Sequence, residues 1–353
     1  MQLFPMTFSG RFVQRIVRLA LLFIFCLGLI PLQGRMKEVV PKPANANTHR
    51  KNVETIKVRP SETDPAIKTF DAPHYVFVND GILIAHEPKL PAARRELLLW
   101  IPGTQTGESD GPGGAVGFCQ LAADMGYHVI ILKYPNDKSA SVCRDDAAPA
   151  SFEEFRMVLI EGGQSAHLTL SRTESMEHRL MKLLAYLQRT RPLEEWAQYL
   201  DGDSIKWSSL AVAGQSQGGG HAALIGLKHR VARVICFGAP KDYSIAHHAP
   251  AAWLRTESAT PKSHFFAFNH EQDNQACTPD QQLENLRALG LDAFGPPVDV
   301  DNIAPPFRHS HILMTNYPGT KLLSKEAHTM GISQRNEAIF GKVWAYLLTE
   351  KAP

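Results

Sequence analysis

The stretch "SSLAVAGQSQGGGHAAL", Ser208 to Leu224, decides how the rest of the chain is read. Its apolar run Leu210–Ala213 ends in Gly214-Gln215-Ser216-Gln217-Gly218, and a helical pattern follows from Gly219. A strand that turns sharply into a helix forces the residue at the turn into an unfavourable backbone conformation. Its neighbours two places away must then lack side chains. The glycine–serine–glycine spacing meets that steric demand. Gly219 and Gly220 continue the small-residue run, which lets the helix approach the sheet closely. A helix N-terminus also favours negative charge near the serine oxygen. Ser216 is the candidate nucleophile, set against the plainer reading of a serine in a tight turn.

Working outward, the chain alternates strand and helix signals. "HYVFVNDGILIAHEP" carries two β-rich runs around Asn79-Asp80-Gly81, a hairpin signal. "ELLLWIPGTQTG" is a continuous apolar strand stopped by Pro-Gly, and a helix to Met125 precedes the buried strand "YHVIILKYP". Met176, Leu180, Leu183, Leu184 and Leu187 recur at helical spacing. "VARVICFGAP" and "SHFFAFNHEQD" are further strands, "PDQQLENLRALG" is a helix with a glycine stop, and a last helix covers about Gln334–Leu348. Strands apolar on both faces, separated by helices, predict an α/β fold: a mostly parallel central sheet with helices on both faces and an antiparallel hairpin at its start.

A serine hydroxyl needs a base, and the base needs an orienting carboxylate. The elbow predicts the chain order serine, acid, histidine. Asp273, in the loop after "FFAFNH", is the preferred acid, with Glu271 as the rival. His328 in "SKEAHTMG", before the last helix, is the preferred histidine, with His309 and His311 in "FRHSHILM" as competitors. An oxyanion hole should take one backbone N–H from Gln217 and one from the loop after the strand Leu97–Ile101, at Thr104 or Gln105.

Composition sets the class. The 353 residues are 44% hydrophobic and 20% charged, ordinary for a globular chain, so an extensive core can form. A net charge of +2, from 37 basic and 35 acidic residues, gives no electrostatic reason to expect a nucleic-acid partner. Arg11, Arg15 and Arg18 precede the apolar run Leu19–Leu32, so residues 1–46 read as an export signal or N-terminal anchor, with "ANA" (Ala44–Ala46) as a cleavage site. The domain is expected outside the cytoplasm, periplasmic or secreted, touching a membrane only through that anchor. Residues 47–70, rich in Pro, Lys, Asn and Thr, read as a linker, and 71–353 as the catalytic domain. Cys119 and Cys236 fall in core patterns, while Cys143 and Cys277 lie in polar loops and are the candidates for a disulfide in an oxidising compartment. No CxxC or His/Cys cluster predicts a metal site.

With the elbow, the ordered Asp and His and the Pro-Gly loop in place, the sequence resembles the α/β-hydrolase superfamily from about Tyr75 onward. "LLLWIPGT", "AVAGQSQGG" and "FAFNHEQD" suggest a branch of exported bacterial serine hydrolases. The loop lacks the HGGG motif of one lipase and esterase group. The resemblance implies hydrolysis through an acyl-serine intermediate without a cofactor; the lack of a long apolar cap insertion favours a small-molecule or polymer-borne ester. A serine peptidase or acyltransferase would use the same triad, and a non-catalytic relative would act as a binding protein. "HHAPAAWLRTESATP" is read either as a short cap over the site or as ordinary structure with Trp253 a buried aromatic.

Overall fold

The computed structural model describes residues 53–79, 96–105 and 110–351. Nine strands form the main sheet: β1 (Val53–Val58), β2 (His74–Asn79), β3 (Leu97–Ile101), β4 (His128–Ile131), β5 (Leu210–Gln215), β6 (Arg233–Phe237), β7 (Phe265–His270), β8 (Val298–Asp299) and β9 (Ile312–Thr315). Their spatial order is β1-β2-β4-β3-β5-β6-β7-β9-β8. The two pairings β1–β2 and β2–β4 are antiparallel. The pairings from β4 through β8 are parallel.

The pleat alternation sorts each strand between two cores. Leu97, Leu99 and Ile101 of β3 pack with Val212 of β5 and Val234 of β6 on one face. Leu98 and Trp100 pack with Ala213, Ile235 and Phe237 on the other. The first face is covered by α2 (Ser151–Glu161), α3 (Met176–Thr190) and α4 (Gln217–Lys228), the second by α1 (Val116–Asp124) and α7 (Glu337–Thr349). Two further helices, α5 (Pro279–Ala288) and α6 (Ser324–Met330), complete the set used below. Both strand faces are buried, which is why these strands read as continuous apolar runs.

The strand order reverses at β3, which has β4 on one side and β5 on the other. In open α/β sheets ligands bind where the carboxyl ends of the strands meet such a switch point. Here the loop after β3 and the turn after β5 both open there.

One expectation changes. The segment 47–70 is not all linker: Val53–Val58 pairs along its length with β2, and Ile67 is buried. Glu174 of the core side accepts from the backbone of Lys68 and Thr69 and from the Thr69 hydroxyl. The alternating "VETIKV" was the missed strand signal, masked by the polar residues around it. The expected antiparallel start of the sheet is present, formed by β1 with β2. The expected hairpin partner of β2 falls in residues 80–95, outside the described residues, as do the leader and the "ANA" site. No helix among the described residues is long and apolar enough to cross a membrane.

A chain beginning at residue 72 loses β1 and the burial of Val58 and Ile67, each a side chain whose burial contributes about 1.5–3 kcal/mol. Its urea midpoint should fall well below that of a chain beginning at residue 51; equal midpoints would show that 53–71 is a linker after all.

Candidate active site

The turn after β5 is strained where the sequence required it. Ser216 has φ 57° and ψ −123°, a conformation that costs roughly 1–3 kcal/mol in a non-glycine residue. The crowding around it explains both glycines. A Cβ on Gly218 would lie 1.9 Å from the Ile101 carbonyl oxygen, and one on Gly214 would lie 2.4 Å from the Gly218 carbonyl. The Ser216 N–H donates to Phe237 O at 2.9 Å, tying the turn to β6, and α4 starts at the next residue.

Asp273 and His328 come together directly. His328 Nδ1 lies 2.7 Å from Asp273 Oδ2, with the carboxylate fully buried. Lys241 Nζ donates to the same oxygen at 2.8 Å, and the Gln275 N–H donates to Oδ1 at 3.0 Å. Burial works to raise the Asp273 carboxyl. The His328 hydrogen bond and the Lys241 charge outweigh it and hold the group below the ordinary carboxylate value. Hydrogen-bonded to that carboxylate through Nδ1, the ring has its Nε2 left for another partner. His328 sits on the short α6 rather than in a loop. It is linked to the serine turn through Gln215, whose Nε2 donates to the His328 carbonyl at 3.2 Å. No direct Ser216–His328 hydrogen bond is formed among the described residues; such contacts are often long in a free site and tighten on binding.

Of the two expected second donors, only Thr104 has a backbone N–H without an acceptor among the described residues. The Gln105 N–H is committed to Asn136 O at 2.8 Å, so Gln105 is not an oxyanion donor. None of the described residues accepts from the backbone N–H of Thr104 or Gln217, the latter being among the first helical N–H groups that lack an intrahelical acceptor. Thr104, Ser216 and Gln217 line one cleft. The loop is pinned by Asn136 Nδ2 to Gly103 O at 2.6 Å and by the Tyr134 hydroxyl to Pro102 O at 2.9 Å.

Beneath the turn lies a buried ion pair. Arg156 of α2 meets Asp242 through Nε–Oδ2 and Nη2–Oδ1, both at 2.6 Å. Its Nη1 donates to the Gln217 carbonyl at 2.9 Å, and the Trp253 indole N–H donates to Asp242 Oδ2 at 2.9 Å. A Cβ on Gly220 would lie 2.2 Å from the guanidinium, so the small residue there makes room for the cation. Trp253 is thus a buried structural aromatic and not part of a cap.

The rival residues stand elsewhere. Glu271 is exposed, and His309 pairs with Glu350 at 2.7 Å. His311 Nδ1–H donates to Phe265 O, the ring stacks on Phe266, and burial pushes it down to about 4. Cys143 and Cys277 are free, buried thiols, so the expected disulfide does not form. Burial pushes their pKa values up to about 11 and about 12, as for small core residues. Cys143, Asp146 and His167 do converge, with ligand atoms within 4.8 Å of one another. There the Asp146 carboxylate already serves the Ser151 hydroxyl and His167, and the thiol is protonated.

Sequence reasoning missed Lys241, Arg156, Asp242 and Asn136. Phe152, Phe155 and Leu159 before Gly162-Gly163 signalled α2, but nothing distinguished Arg156 from a solvated charge.

A mostly parallel sheet that switches at β3, with a strained serine between two glycines at the carboxyl end of β5, is the α/β-hydrolase fold. No protein-family model matches the sequence, and no curated protein does. Among solved structures, MGS-M1, an α/β hydrolase enzyme from a Medee basin deep-sea metagenome library, is similar at 13% identity and a TM-score of 0.39, covering 85% of this chain and 91% of its own. An acylaminoacyl peptidase, in complex with Z-Gly-Gly-Phe-chloromethyl ketone, is similar at 13% identity and a TM-score of 0.41. That match covers 86% of this chain, which spans only 42% of the peptidase. The fold assignment rests on strand order and the turn at Ser216, not on these likenesses.

Arg156→Met strands the Asp242 carboxylate in the interior and should destabilise the protein by about 3–5 kcal/mol in urea unfolding, with part recovered on adding Asp242→Leu. A loss under about 1 kcal/mol would mean that solvent reaches the pair. Asp273 yields a pH test. Its folded pKa is depressed, so the stability it contributes is complete above the unfolded value of about 4 and fades as pH falls through the folded one. Lys241→Met removes part of that depression. The gap in melting temperature between wild type and variant should be full above about pH 5 and should shrink only as pH falls below about 4 and through the depressed folded value of Asp273. A gap that stays constant down to the acid limit of folding would contradict the Lys241–Asp273 coupling.

Proposed function

We propose that this protein is a serine hydrolase that cleaves carboxylic esters through an acyl-serine intermediate. The observation that carries the reading is Ser216 held at positive φ on a helix N-terminus, beside a buried Asp273–His328 pair. The Ser216 hydroxyl attacks the ester carbonyl carbon while His328 Nε2 takes its proton. The carbonyl oxygen becomes an oxyanion and meets the N–H groups of Gln217 and Thr104. Each such donor typically contributes about 3–4 kcal/mol to the transition state. The tetrahedral adduct then collapses, the bond to the leaving oxygen breaks, and that oxygen takes the proton from His328. Water repeats the sequence on the acyl-serine, giving the acid and free Ser216. Asp273 keeps Nδ1 protonated and stabilises the imidazolium.

The role of Lys241 follows from its bond to Asp273: it holds the carboxylate ionised in a site where burial opposes the charge. The basic n-region and apolar run at the N-terminus support export of this hydrolase.

p-Nitrophenyl butyrate should be hydrolysed by the wild type. Ser216→Ala and His328→Ala should each lower kcat/KM by about 10⁴-fold or more, and the double variant should lose little beyond that, because the two act as a unit. Turnover of the matching p-nitroanilide at an equal or higher rate would reassign the enzyme to the peptidases. Ester turnover that survives Ser216→Ala would remove the serine from the mechanism.

A further inference from the structure

The cleft at Ser216 is lined by three cations, Arg144, Arg156 and Lys241, and one acid, Asp242. Two of the cations are satisfied. Arg156 is bidentate to Asp242, and Lys241 is bonded to Asp273 and to the Gln275 carbonyl. Arg144 differs. Its ion pair is with the exposed Asp145 carboxylate at 3.8 Å, beyond hydrogen-bond reach. Its Nε is buried and has no hydrogen-bond partner among the described residues. A buried donor left unmade is costly, and a guanidinium is shaped to give two parallel hydrogen bonds to one carboxylate.

The backbone beneath Arg144 is fixed relative to the serine. Its N–H donates to Ser141 O at 3.2 Å, and its carbonyl accepts from Ile245 N at 2.7 Å. The residue beside Ser216 holds the same segment: Gln217 Oε1 accepts from Ala140 N at 2.7 Å, and its Nε2 donates to Lys138 O at 3.0 Å. Ser139 and Ser141, whose hydroxyls lie 2.9 Å apart, line the cleft between them. The cleft therefore offers Ser216, two hydroxyls and a partly exposed guanidinium whose Nε has no hydrogen-bond partner among the described residues, on a backbone held by these hydrogen bonds.

The geometry points to a substrate that carries an anionic group, a carboxylate or its equivalent, on the part of the ester that reaches Arg144. This assignment rests on the hydrolase reading above and adds the charge of the substrate to it. The anion sits in either the acyl half or the alcohol half, and two pairs of esters separate these. p-Nitrophenyl hemiadipate against p-nitrophenyl hexanoate places the carboxylate on the acyl side. 4-Acetoxybenzoate against 4-acetoxytoluene places it on the leaving group.

In the full-length protein, one of the two pairs should show kcat/KM at least ten-fold higher for the anionic ester. Added salt should shrink that preference, as expected of a partly exposed charge pair. Arg144→Met should lower the anionic-to-neutral ratio at least ten-fold, and Arg144→Lys should restore part of it. A merely structural Arg144 would lower both members of a pair together and leave the ratio unmoved, which would overturn the proposal. So would a wild type that favours the neutral ester in both pairs. Labelling of Ser216 by a fluorophosphonate distinguishes the two levels of failure. Labelling with no anionic preference sinks only the substrate class, whereas no labelling and no turnover of any ester sinks the hydrolase reading and this inference with it.

Discussion

The contact between Gly218 and the Ile101 carbonyl, where even a methyl group would have to sit 1.9 Å from the oxygen, sets the rest of the site. It lets α4 run in against the end of β3. That approach takes the chain through positive φ at Ser216 and brings Ser216 and Gln217 to the same cleft as Thr104 of the loop after β3. One steric constraint therefore places these three residues together. Parallel strands on either side hold the arrangement in register, since Gly214 pairs with both Ile101 and Cys236.

Charge is handled in two buried clusters at the strand ends. Arg156 and Asp242 neutralise each other under the turn, and the Arg156 bond to the Gln217 carbonyl ties α2 to the start of α4. Lys241 and His328 share one oxygen of Asp273. The neighbouring residues Lys241 and Asp242 thus serve opposite clusters, one on Asp273 and the other on the support of the turn. Removing either partner of a buried pair is more damaging than the pair is stabilising, because the remaining charge has no water to turn to. Such clusters specify position more than they add stability.

Most of the fold, the strained turn at Ser216 and the pairing of Asp273 with His328 were legible in the sequence, for reasons that can be stated. The strands were continuous apolar runs because both sheet faces are covered, and the turn at Ser216 announced itself because only glycine fits at its flanks. Asp273 and His328 followed from chain order, since each lies beyond a strand of the same sheet. What stayed hidden were single polar residues whose role depends on a distant partner. Arg156 looks like any helix-surface cation until Asp242, 86 positions away, closes on it. Lys241 follows a strand end as many solvated lysines do. The edge strand Val53–Val58 was lost among polar neighbours, and Cys143 and Cys277 suggested a disulfide only because burial cannot be read from a polar loop.

The central claim is that Ser216 becomes a covalent nucleophile with His328 as its base. Incubation with a fluorophosphonate, followed by peptide mass mapping, tests it most directly. The account predicts one adduct per chain, on the peptide containing Ser216, formed far more slowly in His328→Ala and absent in Ser216→Ala. An adduct on a different residue, or undiminished labelling of Ser216→Ala, would contradict it.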